Sequence, residues 1–145
     1  MTDIPIAKDL LSAFERTRYI VYYDTPFTLR IGMHSAELKK LHDTHHCGCS
    51  AFITAYNPKS MELSREQNEE RQRALKQELH SLGYPCYEGL GQPEDASWQG
   101  ESSFLVLNIT EEEACRLRDK YGQLAIVYCG EDAVPRLKFS SCYHS

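Results

Sequence analysis

The chain reads as an α+β protein of the ferredoxin-like split type, βαββαβ, an antiparallel sheet with two helices on one face, preceded by a helix and a hairpin. Three observations predict it. The run Ala51 to Tyr56 is apolar without polar alternation, as in a strand covered on both faces, and Asn57-Pro58 ends it. Two capping boxes, Ser64-Arg-Glu-Gln67 and Thr110-Glu-Glu-Glu113, each announce a helix. Further apolar strands follow at the spacings that complete the order strand, helix, strand, strand, helix, strand over residues 51 to 129.

In chain order, Pro5 to Arg16 predicts a helix with Ile6, Leu10, Leu11 and Phe14 close to one face. Arg18 to Tyr23 and Phe27 to Ile31 predict two strands joined by Asp24-Thr25-Pro26, with Tyr19, Val21 and Tyr23 sharing a face. Ser35 caps a helix running to about Asp43, with Leu38 and Leu41 inward. Residues 1–49 are expected to be an embellishment packed on the core and residues 50–145 the core itself, within a single domain, because no Gly/Ser/Pro-rich linker divides them. The Ser64 helix runs to about Leu82 before Gly83, with Leu75, Leu79 and Leu82 inward. Tyr84 to Glu88 is a short strand, and Gly89 to Gly100 reads as a long flap carrying Trp98. Its G-x-G lacks the third glycine and the following helix of a dinucleotide fingerprint. Phe104 to Asn108 is a strand, and Ile109 is placed as a hydrophobic staple to Ala114. The Thr110 helix turns Ala114, Leu117 and Tyr121 inward, and its glutamates complement the helix dipole. Gln123 to Cys129 and Leu137 to Ser141 supply the last strands.

Composition removes several function classes. A length of 145 residues, 41% hydrophobic and 26% charged, suits one globular domain with a sizeable core. The formal net charge of -5 offers no basic stripe for duplex nucleic acid, which argues against that partner. No apolar run approaches the roughly 20 residues that cross a bilayer, and Met1 to Leu10 lacks the apolar core of a signal peptide. A cytoplasmic protein with no membrane partner is therefore expected, and its 6 cysteines are read as thiols, Cys115 and Cys129 as buried ones.

His42-Asp-Thr-His-His-Cys-Gly-Cys49 gathers His42, His45, His46, Cys47 and Cys49, ligand types that zinc and copper use. The C-x-C pair is tighter than ordinary zinc spacings and no second knuckle follows, so the segment reads as an exposed loop without metal. No cofactor motif, P-loop or Ser-His-Asp order is present.

The informative site lies at the end of the 51–57 strand. Extending the Leu75, Leu79 stripe backwards at helical spacing reaches Arg71 and Asn68, so two polar groups continue the core face. They lie close to Asn57 and Ser60, near a helix N-terminus that favours anions. Trp98 and Glu101, on the flap and at the mouth of the next strand, complete the candidate set.

The run Phe52-Ile-Thr-Ala-Tyr-Asn-Pro58, with Asn68, Arg71, Gly83-Tyr84, Glu88-Gly89, Trp98, Glu101-Ser-Ser-Phe-Leu105 and Tyr121-Gly-Gln-Leu-Ala125, resembles a small family from bacteria and their phages, domain of unknown function number three-two-nine-three. The resemblance spans about residues 50 to 130, and the His-Cys segment lies outside it. It implies the domain and the same polar positions, with no activity to import. Two readings follow. In the first, Arg71 holds a small anionic, nucleotide-like ligand, Asn57 and Asn68 fix its polar edges, Trp98 stacks, and Glu101 serves as acid or base. In the second, the protein is a non-catalytic interaction or regulatory module in which Arg71 and Glu101 pair internally.

Overall fold

A computed structural model describes residues 4–5, 8–58, 61–94, 100–140 and 143–144. Its elements are β1 (Ile4–Pro5), α1 (Lys8–Arg16), β2 (Arg18–Val21), β3 (Phe27–Leu29), α2 (Ala36–Thr44), β4 (Ser50–Ile53), α3 (Arg65–Ser81), β5 (Cys86–Gln92), β6 (Glu101–Leu107), α4 (Glu111–Lys120), β7 (Ala125–Cys129), β8 (Pro135–Phe139) and β9 (Tyr143–His144). Seven strands form one sheet in the order β3-β2-β5-β6-β4-β7-β8, and every neighbouring pair is antiparallel. β1 and β9 make a separate parallel pair. The sheet curls into a half-barrel, so the α+β class holds.

Strand parity explains how the sheet is covered. Ala51 and Ile53 of β4, Phe104 and Val106 of β6 and Ile126 of β7 face one way and pack with Leu75 and Leu79 of α3 and Ala114, Leu117 and Tyr121 at α4. Phe52, Leu105, Leu107, Val127 and Cys129, at the alternate positions, pack with Leu38 and Leu41 of α2 and with Tyr19, Val21, Phe27 and Leu29 of the hairpin. β4 is therefore buried on both faces, as its unbroken apolar run requires. Both α3 and α4 lie on one face, and α2 fills the other.

Two local expectations change. Gly89 to Gln92 continues β5 instead of opening a flap, pairing with β2 through Val21↔Gly89 to Arg18↔Gln92 and with β6. The glycine is there for close approach: a Cβ on Gly89 would come 2.5 Å from the Ile20 carbonyl oxygen and 2.8 Å from the Phe52 ring. The N-terminal hairpin consequently extends the sheet through an edge of β5. Leu82 is 45% exposed rather than inward, because it is the C-cap of α3, and Gly83 then takes the left-handed conformation at φ 82°. Ile6 lies outside the described residues.

The helix starts follow their sequence signals closely. Ser64 Oγ accepts from Gln67 N–H while the Gln67 side chain accepts from Ser64 N–H, completing the capping box. Thr110 Oγ1 accepts from Glu113 N–H, but the Glu113 carboxylate turns to Arg116 at 2.6 Å, leaving that box half made. Ile109 and Ala114 are fully buried in one cluster, consistent with the staple.

Candidate functional site

Beyond Ile53 the chain leaves the sheet, and side chains from α3 and from the segment after α4 take over its backbone groups. Ala55 N–H donates to Gln72 Oε1 at 2.9 Å, and the Ala55 carbonyl accepts from Arg71 Nε at 2.8 Å. The Tyr56 carbonyl accepts from Gln123 Nε2 at 2.9 Å. Asn57 N–H donates to Asn68 Oδ1 at 2.9 Å, and Asn68 Nδ2 returns a bond to Asn57 Oδ1 at 2.8 Å. Asn57 Oδ1 also accepts from Leu63 N–H at 3.0 Å, and Asn57 Nδ2 donates to Glu101 Oε2 at 2.8 Å. These bonds replace the ladder that β4 loses, since buried backbone groups require partners.

Asparagine suits this corner for two reasons. Asn57 has φ 43°, a left-handed conformation that Asn tolerates better than most residues, and its short amide can bond in three directions. Pro58 follows and approaches Gly122 so closely that a Cβ there would lie 3.0 Å from Pro58 Cβ. Gly122, at φ 68°, both ends α4 and leaves room for this turn.

Arg71 spans two elements. Its Nη2 donates to the carbonyl of Tyr121, the C-cap of α4, while Nε holds Ala55. The guanidinium thus meets the negative end of the α4 dipole. Among the described residues no ion pair joins Arg71 to any carboxylate. The internal Arg71–Glu101 pair is not formed. Glu101 is half-buried; burial holds its carboxyl above the usual carboxylate range, opposed by the Asn57 hydrogen bond. Its charge also adds to burial in pushing the Tyr19 phenol up. Gln72 is 8% exposed, with Oε1 committed to Ala55 and Nε2 buried without a partner among the described residues.

Of the six residues expected from sequence, Asn57, Asn68 and Glu101 form one connected network, and Arg71 joins it through the strand-end backbone. Ser60 and Trp98 lie outside the described residues. Gln72 and Gln123 were not expected. Gln72 follows Arg71 directly and Gln123 falls inside the Tyr121–Ala125 run, but a glutamine in sequence looks like any solvated residue.

The His-Cys segment is not the exposed loop it resembled. His42 is fully buried on α2, with Nε2 2.8 Å from Ser50 Oγ, and burial lowers its pKa. Nδ1 has no partner. His45 Nε2 lies 2.8 Å from Tyr87 OH, and Cys49 Sγ donates to the Ile109 carbonyl at 3.1 Å, so the side chains point to different places. Among the described residues no three His, Cys, Asp or Glu converge as metal ligands would. Cys47, Cys49, Cys86, Cys115 and Cys129 are free thiols, and burial pushes Cys129 up to about 12.

A family model described as a protein of unknown function, DUF3293, matches residues 53–126, just over half of the chain. The chain belongs to the DUF3293 family. No curated protein and no solved structure matches it. The DUF3293 segment runs from the last residue of β4 into β7 and contains the whole strand-end network: Asn57, Asn68, Arg71, Gln72, Glu101 and Gln123. His42 and Ser50 fall before it.

Proposed function

We propose that the DUF3293 segment binds a small polar or anionic ligand, nucleotide-like in its mixture of charge and polar edges, at the end of β4. The carrying observation is Arg71, a half-buried guanidinium that no carboxylate among the described residues neutralises, held in place by two carbonyl oxygens. A fixed, uncompensated fork is suited to phosphate or carboxylate. Its Nη1 makes no hydrogen bond among the described residues and is the group this reading commits to the ligand. Asn57 and Asn68 supply polar edges, and Glu101, held toward its protonated form, gives or takes a proton beside them; Ser60 and Trp98, which the sequence adds to the same set, lie outside the described residues.

A second reading has its own observation: every amide of Asn57 and Asn68 is spent within the protein. Under it the network locks the fold of an interaction module and takes no ligand. For the fold, we propose the ferredoxin-like split arrangement over β4 to β7, supported by the local strand order β5-β6-β4-β7 with α3 and α4 on one face. One domain in a bacterial or phage cytoplasm is the setting that agrees with this reading. No helix among the described residues is long and apolar enough to cross a membrane.

A thermal-shift screen with inorganic phosphate, pyrophosphate and nucleoside mono- and triphosphates tests the binding reading. A ligand at a hundred times its dissociation constant adds about 2.7 kcal/mol of stability. The wild type is expected to respond to at least one of these anions and Arg71→Gln to none. A flat response of the wild type across the panel rejects the reading in favour of the second.

A further inference from the structure

On the face of the sheet opposite α3 and α4, the turn between β2 and β3 stands away from α2 and leaves a trough of about 500 Å³, half open to solvent. Its floor and wall are apolar and aromatic: Tyr23, Phe27 and Leu41. Phe27 and Leu41 belong to the buried core, so this floor is fixed. Tyr23 is braced as well. Its ring meets Tyr87 edge-on, with centroids 5.0 Å apart, and Tyr87 is in turn held by His45 through a 2.8 Å hydrogen bond. Tyr23 is therefore tied through Tyr87 of β5 to His45, the C-cap of α2.

The rim carries the opposite chemistry. Asp24, Glu37 and Asp43 line the trough, against one cation, Lys40. Asp24 and Glu37 make no ion pair among the described residues, and Asp43 has only an exposed contact with Lys39 at 3.4 Å. Asp43 and Thr44 also lie in the last turn of α2, where the helix dipole adds partial negative charge. A braced tyrosine face beside an uncompensated acidic rim matches a cation on an apolar stem: the stem covers Leu41 and Phe27, the charge meets the carboxylates, and the flat head lies on the ring.

We propose that this trough docks an arginine side chain presented by a basic peptide segment of a partner protein. Charge complementarity selects the cation. The open side selects a side chain delivered by a macromolecule over a free small molecule, because small-ligand sites enclose most of their ligand's surface. Arginine fits better than lysine here, since its planar head can stack on Tyr23 and bridge two carboxylates together. The site is separate from the one at the end of β4 and does not depend on it.

Titration of the ¹⁵N-labelled full chain with a capped decapeptide of alternating arginine and glycine, followed by amide chemical shifts, tests this. Saturable shifts are expected at residues 23–27 and 37–44, weakening as salt is raised. The double change Asp24→Asn and Glu37→Gln alters two exposed side chains and should leave the remaining spectrum intact. It should weaken binding about fivefold or more, the combined effect of two solvent-exposed charge pairs. Glu112→Gln, on the exposed start of α4, should not change it. Shifts spread equally over the α4 glutamates, or an affinity that the double change leaves alone, would overturn the proposal. So would spermidine binding the same residues as tightly as the peptide, which would make the occupant a free polyamine.

Discussion

The two ends of β4 hold polar groups in opposite ways. At its start, buried Ser50 meets the His42 imidazole and the Cys129 thiol in a place closed to water, and one imidazole nitrogen finds no partner among the described residues. At its end, residues 55–57 are held by Asn68, Arg71, Gln72 and Gln123, and the cluster is only half-buried around Asn57, Arg71 and Glu101. The first arrangement has no opening through which a ligand could enter. The second keeps a cation and a carboxyl group at a surface that the rest of the network makes rigid. The residues proposed to bind a ligand also hold up the strand end, so changing them is expected to alter stability as well.

The largest expected effect lies at Arg71. Arg71→Ala removes hydrogen bonds from a charged donor to two carbonyls, each such bond contributing about 1.5–3 kcal/mol. Tyr121 keeps a weaker bond to Gln123, so a net loss of about 2–4 kcal/mol in a urea melt is expected. A loss under about 0.5 kcal/mol, the level of an ordinary surface change, would show that the guanidinium is not part of a clasp.

Asn57 separates backbone from side chain. Asn57→Gly keeps the left-handed conformation and loses the amide bonds, whereas Asn57→Ala loses the bonds and adds the strain of a Cβ at φ 43°. The alanine variant should be less stable than the glycine variant by about 1 kcal/mol. Equal stabilities would mean that the turn relaxes and that its geometry is not fixed by the network.

At the other end the expected effect is a pH dependence. The folded pKa of His42 is lowered below its unfolded value of about 6.5, chiefly by burial and then by Lys39. Between those two values the unfolded chain binds the proton and the folded chain does not, so stability rises with pH across that window and is lost as pH falls through it. This contribution is complete above about 6.5 and is lost below it, before the carboxylates titrate. His42→Gln should flatten that limb of the stability curve. An unchanged slope between about pH 6.5 and 5 would place the acid sensitivity elsewhere.

Glu101 has the reverse sign and the smallest effect. Its folded pKa is raised, so the folded state binds the proton more readily, and ionisation of this group costs stability as pH rises through that pKa. Glu101→Gln removes that cost and keeps an acceptor for Asn57 Nδ2. Equal or slightly higher stability at pH 7 is expected in a thermal melt. A marked loss would mean that the charge itself holds the strand end together.

Much of this was legible in the sequence, and the failures have physical causes. The parity of Phe52, Ile53, Phe104 and Leu105, the capping boxes and the glycine stops are local signals, and the structure follows them. Gly89 was misread because a glycine that admits a neighbouring backbone looks, in sequence, like one that loosens a loop. His42 was misread because its burial depends on α2 entering the curl of the sheet. Leu38 and His42 are four residues apart on one helix face, which was a usable sign. Asn68 and Arg71 could be found since they interrupt a leucine stripe. Gln72 and Gln123 could not, because only the folded chain brings them to the carbonyl and N–H groups that β4 leaves behind.

The most direct test of a ligand site at the end of β4 is an amide-shift titration of the full chain with pyrophosphate and adenosine monophosphate, in the wild type and in Arg71→Gln. The account predicts saturable shifts at residues 54–58, 68–72 and 121–123 in the wild type, absent from a variant whose other resonances show it folded. Saturable binding that Arg71→Gln leaves unchanged, or no saturable shift at the strand end with either anion, would contradict it.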